Sequence, residues 1–143
     1  MYKSVFVDAN ILVDYIDASR KSHSYSVQTL HHLLSNNVSV LTSCDIITTI
    51  YYLYAKKDKN QALLEIERIN QFCKVINFSN HEVTLTCKLM HKDTDYHDLE
   101  DTLQYILAQK EQCELIISND KNFTSKAIAL MSSENFLEKI INA

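Results

Sequence analysis

With 143 residues, 46% hydrophobic and 22% charged, the chain is long enough to bury a core and too apolar to be disordered. Its formal net charge of −4 excludes a broad basic face for nucleic acid, so a polyanionic ligand would need local neutralisation, for which metal ions are suited. The absence of glycine and proline excludes P-loops, glycine-rich dinucleotide loops and G-x-S-x-G nucleophile elbows.

No stretch approaches the ~20 apolar residues of a membrane span, and no basic-then-apolar leader opens the chain. A single cytoplasmic domain over residues 1–143, with no membrane contact, is expected. Cys44, Cys73, Cys87 and Cys113 are widely spaced beside apolar segments, which favours buried free thiols over disulfides or zinc ligands.

In chain order, residues 4–7 (SVFV) read as a buried strand, followed by Asp8 and, two residues on, Asn10. Asn10 immediately precedes the apolar run 11–13 and is the expected helix cap, which leaves Asp8 at the strand mouth without a structural duty. A helical segment (23–36), a strand (38–42) and two more helical segments (44–56 and 59–73) follow. Next come a strand at 74–76, helical periodicity over 79–92 and 98–112, a strand at 114–118, a weaker one at 128–131 and a helix over 133–141. Ser79 or Asn80, Asp98 and Ser133 are expected N-caps. With no glycine, Asn36, Asn37, Asn77, Asn80, Asn119 and Asn122 are expected to supply left-handed turns.

Strands separated by helices imply an α/β fold: a three-layer α/β/α sandwich around a mostly parallel sheet of about five strands. Ligand-binding groups in such sheets gather beyond the strand C-termini. Asp8 lies at one such end and Ser118, Asn119 and Asp120 at another. A third acidic group sits in HDLEDTLQ, where Asp98 and Asp101 are three residues apart in one helical turn. Each acid alone also reads as a cap or turn residue. Together they are costly to gather without a cation or protons, and an all-oxygen set suits Mg²⁺ or Mn²⁺ over zinc. A calcium loop starting at Asp93 fails, because its sixth position is Asp98 rather than glycine and its twelfth is Gln104 rather than glutamate. His31, His32, His91 and His97 read as surface or core residues.

The ordered segments VFVDANILVDYI, SCDIITTIYYLYAKK, HDLEDTLQ, IISNDKNF and MSSENFLEKI resemble the PIN-domain family, in particular the VapC-type toxin ribonucleases of toxin–antitoxin pairs. The resemblance covers nearly the whole chain. It implies a Mg²⁺- or Mn²⁺-dependent endoribonuclease with Asp8, Asp101 and Asp120 as catalytic metal-binding acids and Asp98 as an additional one. It further implies Asn10 and Ser118 as supporting polar residues, RNA as substrate, a small antitoxin as partner, and a homodimer. Lys56, Lys57, Lys59 and Lys121 are candidate contacts to the RNA backbone. One departure stands out: the family's acid before the I-Y-Y-like segment is Thr49 here. Asp45, a helical turn earlier, either reaches the cleft or caps its helix, and the cap is favoured. The departure leaves a second reading open, a catalytically weakened or inactive PIN-like module that binds RNA or protein.

Overall fold

The computed structural model describes residues 1–143. Five strands form one sheet: β1 (Ser4–Val7), β2 (Ser39–Ser43), β3 (Cys73–Ile76), β4 (Leu115–Ile117) and β5 (Ala129–Met131). Their order is β3-β2-β1-β4-β5 and every pairing is parallel. Val5, Phe6 and Val7 of the central strand have no exposed surface, as expected of a strand covered on both faces. The register aligns Phe6 with Leu41 on one side and with Ile116 on the other. Each strand pair is bridged by at least one of the helices α1 (Ala9–Ile16), α2 (His23–Ser35), α3 (Cys44–Ala55), α4 (Lys59–Phe72), α5 (Asn80–Lys92) and α6 (Leu99–Lys110), save β4–β5, and α7 (Ser133–Ile141) closes the chain.

The helices sort into two packed groups. One runs α7–α2–α1–α3–α4 and the other is the pair α5–α6, which also touches β2. Residues 102–108 of α6 are all buried, which marks a helix covered on all sides. No helix is long and apolar enough to cross a membrane.

Several local expectations need correction. The N-cap of α1 is Asp8, whose carboxylate accepts from the Ala9 amide, while Asn10 lies inside the first turn. The cap of α7 is Ser132 rather than Ser133, whereas Ser79 caps α5 in a capping box with Glu82. Of the expected left-handed asparagines only Asn37 has positive φ (57°), and the second such residue is Gln112 (56°). Cys73 and Cys113 are buried free thiols, pushed up to about 12 and about 11 by burial; Cys87, however, is exposed.

Candidate active site

The chain leaves β1 toward β2 and β3, then crosses back to place β4 on the other flank of β1. The β1/β4 boundary is therefore the switch point of the sheet, where the C-terminal strand ends open a crevice. Asp8 follows β1 there and Ser118 follows β4, and the ladder continues into the crevice through Asp8 N–H donating to the Ile117 carbonyl (3.0 Å).

Asp8 is only 4% exposed. Its Oδ1 accepts from the Ala9 amide (2.7 Å), and its Oδ2 accepts from Ser118 Oγ (2.7 Å) and Asn10 Nδ2 (2.9 Å). Burial raises its pKa above 3.8; the Ser118 and Ala9 hydrogen bonds oppose that rise, and Asp120 adds to it. Ser118 Oγ also accepts from the Asp120 amide (3.1 Å), so one hydroxyl ties two of the expected acids together. Asp120 in turn accepts the Asn122 amide at 2.9 Å, which makes it a turn residue as well.

Across the crevice, Asp98 caps α6 by accepting the Asp101 amide (2.9 Å), and its carbonyl accepts from Thr102 Oγ1 (2.6 Å). Asp101 is half-buried. Its pKa rises from 3.8 to about 7, first because burial strips water from the carboxyl and then because Asp8, Asp98, Asp120 and Glu100 repel its charge. The acids expected from three separate segments thus sense one another at one strand mouth.

Asp45 is not a cap. Ser43 occupies the N-cap position of α3, and no side-chain cap hydrogen bond forms there. Asp45 Oδ1 is buried without a partner, and Asp45 helps to raise the Glu100 carboxyl, after burial and ahead of Asp8 and Asp98. Thr49 is exposed, with its hydroxyl donating back to the Asp45 carbonyl at 3.1 Å. The carboxylate of α3 that is felt in the crevice is therefore Asp45, one turn before Thr49.

Sequence reasoning passed over Glu100 and Asp14, and named Asn119 only as a strand-end and turn residue. Glu100 adds a further charge beside Asp101, and its position in HDLED was the available signal. Asp14 is 4% exposed and is held by Arg20 Nε (2.6 Å) and Asn119 Nδ2 (2.8 Å). An acid inside the apolar run ILVDYI was the clue to its partnered burial. Asn119 is a hub: its amide donates to Asn10 Oδ1 (2.9 Å), and its Oδ1 accepts the amide and hydroxyl of Ser133 (2.9 and 3.0 Å). Pairings over more than a hundred residues leave no local mark.

The PIN-domain family profile matches residues 4–122. The chain is also 47% identical, over 137 residues, to Ribonuclease VapC1 of Aquifex aeolicus (strain VF5), covering 96% of this chain and 95% of that protein. The chain belongs to the PIN-domain family. Among solved structures, this PIN domain is similar to VapC20 of Mycobacterium tuberculosis, a toxin that cleaves the sarcin–ricin loop. That likeness has a TM-score of 0.66 at 15% identity over 83% of this chain and 92% of the other. It is also similar to a toxin–antitoxin complex from Klebsiella pneumoniae, with a TM-score of 0.68 at 16% identity over 90% of this chain and 97% of the other. At those identities the likeness is one of fold.

The donor set of this PIN domain fits a hard divalent cation, since every candidate ligand is a carboxylate oxygen and one, on Asp45, is buried without a partner. No three acidic, histidine or cysteine side chains stand close enough to hold one ion between them. At most two of these carboxylates could therefore share an ion, whose remaining shell would have to come from water and phosphate oxygens.

Proposed function

We propose that this PIN domain is a metal-dependent endoribonuclease that hydrolyses RNA phosphodiester bonds, a VapC-like toxin neutralised by a small antitoxin. The observation that carries this reading is Asp101. A carboxyl raised to about 7, first by burial and then by the repulsion of Asp8, Asp98, Asp120 and Glu100, is what a site for a cation requires, in a chain 47% identical to a ribonuclease.

In this reading Asp8, Asp98, Asp101 and Asp120 would hold one or two Mg²⁺ or Mn²⁺ ions, with no more than two of these side chains on any one ion. A cation held there would supply a deprotonated water and offset charge on the phosphoryl oxygens. Ser118 and Asn10 hold the Asp8 carboxylate through Oδ2, which fixes its orientation before substrate arrives. Asp98 spends Oδ1 on the Asp101 amide, so capping α6 and presenting Oδ2 to the crevice are compatible. A single domain over 1–143 and a homodimer belong to the same reading. Exposed Tyr52 and Leu53 on α3 (69% and 58%) supply the apolar surface that subunit contacts use.

Replacing Asp8 with asparagine keeps the side-chain shape and removes the charge, exchanging one of its two acceptor oxygens for an NH₂ donor. Asp8→Asn is expected to lower Mn²⁺-dependent RNA cleavage at least ~100-fold, about 2.7 kcal/mol of transition-state stabilisation, with an unchanged circular dichroism spectrum. Cleavage at the wild-type rate overturns the assignment. The exposed Thr49 favours a second reading, the weakened or inactive module that binds RNA or protein. Thr49→Glu raising cleavage identifies a weakened enzyme. Failure to bind millimolar Mn²⁺, together with no cleavage of varied RNAs, identifies the binding module.

A further inference from the structure

Beside the acidic crevice lies a groove of about 580 Å³ with no hydrophobic lining, bounded by Asn10, Asp14, Arg20, Lys21, Asn119 and Asp120, with Ser22 at its edge. Asn10 and Asp120 belong to both, so the groove is a continuation of the crevice. Its far wall is the connection between α1 and α2, and its charge is of the opposite sign. Lys21 is exposed and makes no ion pair.

Arg20 is held in a particular way. Its Nε donates to the buried Asp14 at 2.6 Å, while its two terminal nitrogens make no hydrogen bond and its side chain is 45% exposed. The carboxylate thus orients the guanidinium and leaves its terminal donors without a partner. Ser22, at the start of α2, makes no side-chain cap bond, so its hydroxyl is free and the positive end of the α2 dipole faces the same wall.

These groups are registered to the crevice by four hydrogen bonds in series. Asp8 Oδ2 accepts from Asn10 Nδ2, and Asn10 Oδ1 accepts from the Asn119 amide. Asn119 Nδ2 donates to Asp14 Oδ2, and Asp14 Oδ1 accepts from Arg20 Nε. Two unpaired guanidinium nitrogens, a free ammonium and a free hydroxyl suit a tetrahedral anion with two acceptor oxygens, which is what a backbone phosphate presents.

We propose that this groove binds a phosphate of the RNA strand next to the scissile one, with Arg20 and Lys21 as the binding cations and Asp14 and Asn119 as positioning residues. The proposal rests on the ribonuclease reading and names a subsite for its substrate. It also answers how a chain of net charge −4 engages a polyanion: the cations are few, local and aligned to the metal-binding acids.

The test is fluorescence anisotropy of a labelled single-stranded RNA in EDTA, over a range of salt, alongside Mn²⁺-dependent cleavage. Lys21→Ala and Arg20→Ala are each expected to weaken binding several-fold and to reduce the slope of log K against log salt by about 0.7, the value for one lost phosphate contact on a single strand. Lys88→Ala, on the exposed face of α5, is expected to leave both unchanged. In cleavage, KM rises more than kcat falls, the pattern for a contact made equally in the ground and transition states. Arg20→Lys is expected not to restore affinity, since an ammonium cannot satisfy Asp14 and offer a fork together. Arg20→Ala strands a buried carboxylate and can unfold the chain; Lys21→Ala carries the test regardless, because Lys21 has no partner to lose. RNA binding by Lys21→Ala equal to that of Lys88→Ala overturns the groove, even where cleavage is intact. Weakened binding in a wild-type background that never cuts RNA upholds the groove and refutes the nuclease reading instead.

Discussion

Ser118 Oγ donates to Asp8 Oδ2 at 2.7 Å, joining the ends of two strands that are adjacent in the sheet and 110 residues apart in the chain. The bond stands where the direction of strand addition reverses, so the residue pair marks the crevice by topology and holds its central carboxylate by chemistry. Ser118→Ala removes a charged hydrogen bond worth ~1.5–3 kcal/mol and also strips the Asp120 amide of its acceptor. Urea unfolding should show a loss of that size, and isothermal titration should show weaker Mn²⁺ binding. Wild-type affinity in this variant would mean that Asp8 needs no orienting partner.

The pH dependence of stability follows from Asp101. Its folded value is about 7 against an ordinary 3.8, so between those values the folded state binds more protons than the unfolded one. Stability of the metal-free protein therefore falls as pH rises through this window. The Asp8 and Glu100 carboxyls, both raised by burial, act in the same direction, while Asp17 and Asp93, both lowered by hydrogen bonds, act only at lower pH. In EDTA the melting temperature is expected to be lower at about pH 8 than at about pH 5. Mn²⁺ competes with the proton, so the stabilisation it gives grows with pH over the same range. A melting temperature in EDTA that climbs steadily across it contradicts the coupled-acid description.

Asp45 separates a cap from a ligand. As a cap it would cost ~1 kcal/mol on replacement by alanine. With an unpartnered buried oxygen and an acidic neighbour at Glu100, Asp45→Ala is expected to leave the metal-free protein as stable or slightly more so. The stabilisation that saturating Mn²⁺ confers should shrink in the same variant. Paired thermal melts with EDTA and with Mn²⁺ read both effects, and a destabilised metal-free variant would restore the capping role.

Gln104 on α6 is 1% exposed, and neither its amide nitrogen nor its amide oxygen has a partner. An unsatisfied buried amide costs ~1–3 kcal/mol. Gln104→Met, which keeps the volume and discards the polar atoms, is expected to raise the melting temperature by a few degrees, about 2–4 °C per kcal/mol for a chain of this size. Scanning calorimetry checks this, and a lower melting temperature would reveal a hydrogen bond that the side chain makes in solution.

Element type could be read locally because apolar spacing in a dozen residues is enough to distinguish a strand from a helix. SVFV, ELIIS and the helical stretches announced themselves in that way, and alternation of strand and helix implied the parallel sheet. The order of acids along the chain likewise named Asp8, Asp101 and Asp120 as a set. Local pattern failed where two polar residues competed for one duty. Asp8 and Asn10 are two residues apart, and only the docking of β4 beside β1 shows that Asn10 is needed by Asn119 and Ser118, leaving the cap to Asp8.

Composition and periodicity sufficed for the fold class and the acidic character of the site, since both depend on short-range patterns that the linear chain carries intact. The raised Asp101 carboxyl, the orphaned Asp45 oxygen and the relay from Asp8 to Arg20 required the assembled molecule. Desolvation and Coulomb coupling depend on distance through space, and here the groups that set them lie up to about a hundred residues apart along the chain.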